Sequence, residues 1–274
     1  MPELPEVETV TRGLRAALVG HVIAGVEVRR ARSLVPPDAE GFVRRLTGRR
    51  VTAARRRGKW ILLPLDSGDT LVAHLRMTGQ LVLSDSPPAD PYVQVLFTLD
   101  DGRYLRFSDQ RKFGRLWLTA DPEALVGDLG PEPLGESFTV AWLGEHLRGR
   151  RRRIKSLLLD QHFLAGLGNI YTDESLWRAG VHPLRRADGL TDVEVERLHG
   201  AIRAVLREAI ATGGTTLSDG MYRRADGEAG GFVVRLAVYG RKGEPCPRCG
   251  TPIERIRVAQ RGTHFCPRCQ PVPE

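Results

Sequence analysis

Pro2 and Glu3 are the residues best suited to chemistry in this sequence of 274 residues. Pro2 is a small second residue, so the aminopeptidase that trims such starts is expected to remove Met1 and free the ring nitrogen. The product is a secondary amine with a pKa of roughly 8, appreciably unprotonated at neutral pH. Attack of that nitrogen on a sugar aldehyde carbon gives a charged iminium, an electron sink with no N–H left to lose. Glu3, one peptide bond away, can donate or accept protons. Met-Pro is also a common way for a chain to start, so the pair acquires meaning only from the residues that accompany it.

The second chemical cluster lies in the last thirty residues, where Cys246-Pro-Arg-Cys249 and Cys266-Pro-Arg-Cys269 are separated by sixteen residues. Two such knuckles present four thiolates to one tetrahedral ion, the pattern of a structural zinc. Two disulfides are the alternative, which a reducing compartment disfavours. With four sulfurs on the metal no position is open to substrate, so one structural zinc and no organic cofactor are expected. Between the knuckles, Ile253–Gly262 reads as a strand entering a tight glycine turn, a β-hairpin finger with Arg261 at its tip.

Composition bounds the partner. The net charge is +8 and only Lys59, Lys112, Lys155 and Lys242 are lysines, so arginine carries nearly all the positive charge. Its planar fork suits phosphate and base edges, and the basic balance favours a polyanion. No apolar run is long enough to span a membrane, and the charged start is no signal peptide. A soluble, cytoplasmic, monomeric protein is the expectation.

The elements that must hold these residues follow in order. Residues 5–18 carry Val7, Val10, Leu14 and Leu18 at helical spacing, with Pro5 in the first turn. Residues 22–28, 51–65, 70–83, 92–99 and 103–107 alternate as strands, Asp100-Asp101-Gly102 marks a hairpin turn, and together they suggest an antiparallel sandwich or barrel. Residues 121–136, rich in Pro and Gly, read as a linker. Helical stripes follow at 138–147, 154–161, 170–178 and 193–212, the last capped by Thr191 or Asp192. Residues 212–231 read as a loop.

These pieces match one family from end to end. Pro2-Glu-Leu-Pro-Glu-Val-Glu-Thr9, Arg57-Gly-Lys59-Trp60, His74-Leu-Arg-Met77-Thr-Gly79 and Asp109-Gln-Arg111-Lys-Phe113-Gly114 come first. Ile154-Lys155, Gly166-Leu-Gly-Asn169-Ile-Tyr171, Gly214-Thr-Thr-Leu217 and Gln260-Arg261-Gly262 follow in the family's order. The sequence resembles the formamidopyrimidine-DNA glycosylases, bacterial base-excision repair enzymes that remove oxidised purines such as 8-oxoguanine. Relatives acting on oxidised pyrimidines usually begin Pro-Glu-Gly-Pro, so Leu4 favours the purine branch. The resemblance implies an α+β multidomain chain. Its parts are an N-terminal antiparallel β-sandwich with a leading helix (1–120), a linker (121–137), a helix–two-turn–helix DNA-binding domain (138–235) and a zinc-finger hairpin (236–274). It also implies a nucleoid-associated bacterial setting.

By resemblance, Pro2 attacks the sugar C1′, Glu3 protonates the opening ring, Lys59 assists proton transfer at the damaged nucleotide, and Arg261 serves the final elimination. For Glu6, ordering of the N-terminus and a solvated first-turn carboxylate stand as equal readings. Met77, Arg111 and Phe113 match the side chains that fill the void left by a flipped nucleotide, although Met77 and Phe113 alone would read as core. Arg150, Arg151, Lys155, Asn169 and Tyr171 complete the expected contacts to damaged double-stranded DNA. His74, His162 and His182 read as structural. Asp90-Pro91-Tyr92 departs from the family's frequent His-Asp-His, and residues 218–231, the base-capping loop, match loosely. Two alternatives stand beside this reading: an oxidised-pyrimidine glycosylase, and a non-catalytic protein that binds duplex DNA without forming a covalent complex.

Overall fold

The computed structural model describes residues 1–272. The chain forms two compact units: Met1–Asp128 with Ile210–Val233, and Leu129–Ala209 with the described residues from Val234 onward.

The first unit opens with α1 (Leu4–Leu18), where Pro5 lies in the first turn and lacks an N–H that would in any case go unbonded. Then come β1 (Ile23–Val28), β2 (Leu34–Val35), α2 (Ala39–Leu46), β3 (Arg55–Arg57), β4 (Trp60–Pro64), β5 (Thr70–His74), β6 (Gly79–Ser84), β7 (Val93–Leu99), β8 (Tyr104–Asp109), β9 (Arg115–Thr119) and the single turn α3 (Glu123–Val126). They build two sheets, ordered β1-β7-β8-β6 and β2-β9-β5-β4-β3, antiparallel except where β2 joins β9. Because side chains alternate across a strand, each sheet turns one apolar face inward. Val95 and Phe97 of β7 and Phe107 of β8 join Ile61 and Leu63 of β4 in one core, which also takes the Val7, Val10, Leu14 and Leu18 stripe of α1. The sandwich with a leading helix is thus observed.

Two elements of this unit have weak sequence signals. Helix α2 is only eight residues, anchored by Phe42 and Leu46 one turn apart and capped by Asp38, which accepts the Gly41 N–H at 2.9 Å. Strand β9 buries just Leu116 and Leu118, yet it lies inside its sheet between β5 and β2. The domain boundary also differs from expectation. Residues 210–233, assigned by sequence to the helical domain, pack in the first unit. Tyr222 and Ala225 enter its core, and the Leu83 N–H donates to Ala225 O at 2.8 Å.

The second unit holds α4 (Val140–Leu147), α5 (Ile154–Leu158), α6 (Asn169–Ala179), α7 (Asp192–Ala211, the last two residues counted with the first unit), β10 (Glu254–Val258) and β11 (Arg261–Phe265). Helix α7 starts in a reciprocal cap: the Thr191 N–H donates to Glu194 at 2.8 Å and the Glu194 N–H to the Thr191 hydroxyl at 3.3 Å. Helix α5 stops short of Gln161 because Asp160 makes a turn, its carboxylate accepting the His162 N–H at 3.1 Å. The finger turns at Ala259-Gln260, both at positive φ, rather than at Gly262, which pairs with Arg257 inside the hairpin. Among the described residues no helix is long and apolar enough to cross a membrane.

His74 closes β5 with its ring against Trp60, 4.7 Å between centroids. Burial, together with the charges of Arg76 and Lys59, pushes its pKa down to about 3, and Nδ1 accepts the Arg76 N–H at 3.0 Å. In the unfolded chain the imidazole titrates near 6.5. As pH falls from about 6.5 toward 3, the unfolded state therefore takes up a proton that the native state refuses. This one residue should cost at most about 1.4 kcal/mol of stability per pH unit over that window. His74→Asn, whose Oδ1 can accept the same N–H, should show a shallower decline in urea-unfolding stability across it. Identical slopes would refute the assignment.

Candidate active site and zinc centre

Glu6 organises the chain start. Its side chain is 2% exposed, so the solvated reading fails. One carboxylate oxygen accepts the Glu3 N–H at 2.8 Å and the other accepts the Thr215 N–H at 2.7 Å. Gly214 has φ of +82°, and a Cβ there would meet Glu6 Oε1 at 2.9 Å, so glycine is required on both counts. The Tyr222 hydroxyl donates to Gly213 O at 3.0 Å and closes the same loop. Thr215 and Tyr222 are support residues that sequence reasoning missed; the Gly214-Thr-Thr run was visible, but its partner Glu6 lies 208 positions away from Gly214 in the sequence.

Lys59, 6% exposed, sits in the Gly58-Lys59 turn that divides the expected 51–65 strand into β3 and β4, one residue before β4 begins. Its position relative to α1 is fixed by a pair that the sequence did not single out. Arg56 Nε donates to Glu8 at 2.8 Å, and an Arg56 terminal nitrogen donates to Gly58 O at 3.1 Å. Burial works against a charged Glu8, but hydrogen bonds and charge from Arg56 and Arg12 outweigh it and hold the carboxyl below its ordinary range. The partly buried Arg56–Glu8 ion pair thus ties α1, which Pro2 and Glu3 lead into, to the strand that precedes the Lys59 turn.

The three expected wedge residues share a neighbourhood on the loops that join β5 to β6 and β8 to β9. Met77 is 36% exposed and Phe113 49%, which disposes of the core reading for both. Arg111 is exposed, with its guanidinium 5.2 Å from the Phe113 ring centroid. Both loops hang on Asp109, buried at the end of β8. It accepts the Thr78 hydroxyl, the Arg111 N–H at 3.1 Å and the Gly114 N–H at 2.6 Å. A Cβ on Gly114 would meet Phe107 Cζ at 2.7 Å, so no larger residue fits under the loop. Tyr92, in the segment that departs from the family, is 44% exposed, and its carbonyl accepts the Asp109 N–H at 3.0 Å.

In the second unit the expected contacts divide. Arg150, Arg151 and Arg261 are exposed. Lys155 is not: it is fully buried, donating to Asp173 at 2.6 Å and to the Thr263 hydroxyl at 2.8 Å. Asp173 also accepts the His264 N–H at 2.9 Å, so this ion pair pins the finger to α5 and α6. Tyr171 is likewise fully buried. The side chains of Lys155 and Tyr171, expected among the DNA contacts, therefore lie inside the fold and present no surface to a phosphate. Asn169 is half-buried and donates to Gly262 O at 2.9 Å, beside Arg261. The Gly166 N–H is taken by Gln161 Oε1 at 3.0 Å.

The four cysteines fit zinc. Their sulfurs lie within 4.8 Å of one another, with Cys246–Cys269 at 3.9 Å and Cys249–Cys266 at 3.5 Å. Tetrahedral Zn–S bonds of about 2.3 Å imply sulfur separations of about 3.8 Å, whereas a disulfide needs about 2.05 Å. Burial and neighbouring sulfurs push Cys269 up to about 12, a repulsion that a divalent cation relieves. The centre is structural: Cys246, Cys249, Cys266 and Cys269 close the coordination shell.

Models of three domains match this chain. They are the formamidopyrimidine-DNA glycosylase N-terminal domain over residues 1–116, the H2TH domain of the same enzymes over 129–220, and the zinc finger found in FPG and IleRS over 243–272. The chain belongs to the formamidopyrimidine-DNA glycosylase family. A formamidopyrimidine-DNA glycosylase of Chloroflexus aggregans is 51% identical over 98% of each chain. The crystal structure of the MutM (FPG) protein from Thermus thermophilus superposes with a TM-score of 0.89 at 46% identity over 98% of each chain. A Lactococcus lactis FPG mutant in complex with Fapy-dG-containing DNA superposes with a TM-score of 0.91 at 37% identity, covering 99% of this chain and all of that one.

Asp109→Asn tests the loop assembly. The amide keeps one acceptor oxygen but turns an NH2 toward a backbone donor, a loss of about 1–3 kcal/mol. Thermal unfolding should register that loss, and excision from paired DNA should fall by more than binding to undamaged duplex. Wild-type excision in a measurably destabilised variant would show that the loops do not depend on Asp109.

Proposed function

We propose that this chain is a bifunctional base-excision repair enzyme that removes oxidised purines, 8-oxoguanine and formamidopyrimidines, from duplex DNA and then cleaves the strand. The observation that carries the reading is the double role of Glu6, which commits both oxygens to immobilising the segment that bears Pro2 and Glu3. Family membership and the Pro2–Thr9 run support the substrate class.

The reaction follows from the residues. With Met1 removed, the Pro2 nitrogen attacks C1′, the damaged base departs, and Glu3 protonates the ring oxygen as the sugar opens. The resulting iminium acidifies the C2′ proton, whose loss expels the 3′ phosphate; a second elimination expels the 5′ phosphate. Lys59 assists proton transfer at the damaged nucleotide, and Arg261 supplies a proton in the second elimination. A base inside the stack cannot be reached, so the nucleotide must be extruded at a cost of a few kcal/mol. Met77 and Phe113 enter the vacated space, and Arg111 hydrogen-bonds the orphaned cytosine. Arg150, Arg151 and Asn169 hold the phosphate backbone, and the zinc hairpin presents Arg261.

Borohydride should trap the protein on an 8-oxoguanine:C duplex, and peptide mapping should place the adduct on Pro2. An adduct on Lys59 would overturn the assignment, and preferential cleavage of a thymine-glycol duplex would move the protein to the pyrimidine-acting relatives. Phe113→Ala or Arg111→Ala should reduce excision from paired DNA by tenfold or more, a loss of about 1.4 kcal/mol or greater. Cleavage at an abasic site, which costs less to extrude, should suffer less. Equal losses on both substrates would point to damaged folding instead.

A further inference from the structure

Trp177 lies in the last turns of α6, half-buried against Val238, Ile253 and the zinc cysteines. Its indole Nε1 is 3.4 Å from Cys246 Sγ. An indole N–H can only donate, so the direction of this bond is fixed and the sulfur is the acceptor. Arg248, inside the Cys246–Cys249 knuckle, returns to place its guanidinium 4.5 Å from the Trp177 ring centroid. One of its terminal nitrogens also donates to Arg178 O at 3.1 Å, which holds the cation in place. Packing alone requires only an apolar ring; the N–H aimed at the sulfur is an additional feature that indole supplies and phenylalanine lacks.

We infer that Arg248 and Trp177 form a relay behind the zinc ligands that sets the donor strength of the Cys246 sulfur. Four thiolates around one divalent ion leave an excess of negative charge. The indole N–H withdraws density from one of those sulfurs, and a cation over the ring face makes that N–H a better donor. Trp177 is thus a positioning residue for the metal site, and through the knuckle it anchors the finger to the end of α6. The inference rests on the reading that one zinc fills the four-cysteine centre.

Three measurements on the full-length protein test it. Metal analysis of the wild type comes first and should find about one zinc per chain; its absence would sink the four-thiolate reading itself. In Trp177→Phe, competition with EDTA should then show zinc held about tenfold less tightly, the lower end of what loss of a hydrogen bond to a metal ligand costs. With Co2+ in place of zinc, the sulfur-to-cobalt charge-transfer band should move to longer wavelength, because an unbonded thiolate is the better electron donor. Packing damage alone would weaken binding without moving the band in that direction. Arg248→Gln, at an exposed position that cannot unfold the core, should shift the band the same way by less, and it decides the matter if Trp177→Phe fails to fold. An unmoved band and unchanged EDTA competition in Arg248→Gln, with the same result in any folded Trp177→Phe, overturn the proposal.

Discussion

A chain terminus proposed as the nucleophile faces a mechanical conflict. Chain ends are the least ordered part of most proteins, yet attack on a sugar carbon needs placement to a fraction of an ångström. Glu6 resolves the conflict by accepting N–H groups from Glu3 and Thr215. The same device recurs wherever a functional loop must be fixed. Asp109 gathers the Arg111 and Gly114 N–H groups, Asp173 takes the His264 N–H, and Glu174 accepts three successive donors from Ala237, Val238 and Tyr239 at 2.8–3.0 Å. Burying a carboxylate is costly unless its lone pairs are filled. Backbone donors fill them while fixing the path of the chain, so in a strongly basic protein the buried acids act as clamps.

The wedge loops show a second consequence of fixing the backbone this way. Arg76 at φ +55° and Lys112 at φ +62° stand beside Met77 and Phe113, in a region that side chains rarely adopt. Each costs about 1–3 kcal/mol and persists only when the surroundings over-determine it. Here the surroundings are Asp109 and the Thr78 hydroxyl bonded to it, which share the Arg111 N–H, each at 3.1 Å. Exposed Met77 and Phe113 are unfavourable in water but sit on backbone that is already fixed, so the proposed insertion into DNA would demand little further loss of backbone freedom.

Much of this was legible in the sequence because it is local. Alternation in β7 and β8, the stripe of α1, the Thr191 cap and the two cysteine knuckles all express themselves within a few residues. What was not legible depends on distant partners. Nothing in residues 210–233 announces that Tyr222 enters the sandwich core, because the signal is a contact with α1 across two hundred positions. Helix α2 is too short to show a period, and β9 carries only two inward residues. The finger's turn was misplaced toward the C-terminus because Gly262 looked like turn chemistry. In fact Gly262 gives room to the Arg255 guanidinium, whose terminal nitrogen would lie 2.7 Å from a Cβ there, while Ala259 and Gln260 take the strained conformation.

Lys155 shows most plainly how a charged run can mislead. In sequence it continues the Arg148–Arg153 series, yet the helical turn of α5 carries it inward, where Asp173 and Thr263 absorb its charge in assembling the finger. The arginines before it remain outside but are not equivalent. Arg152 is engaged by Asp160 at 2.9 Å, which neutralises it in part. Arg150 instead rests over the Phe163 ring, 5.8 Å from its centroid, and gives Nε to His146 O at 2.9 Å. Neither contact cancels its charge, and both restrict its rotamers, leaving the two terminal nitrogens of the fork directed by the protein. A guanidinium held in this way loses less side-chain entropy on meeting phosphate than a solvated one. The physical division within the run is therefore between charge committed to the fold at Lys155, charge shared with an acid at Arg152, and charge pre-positioned for a polyanion at Arg150.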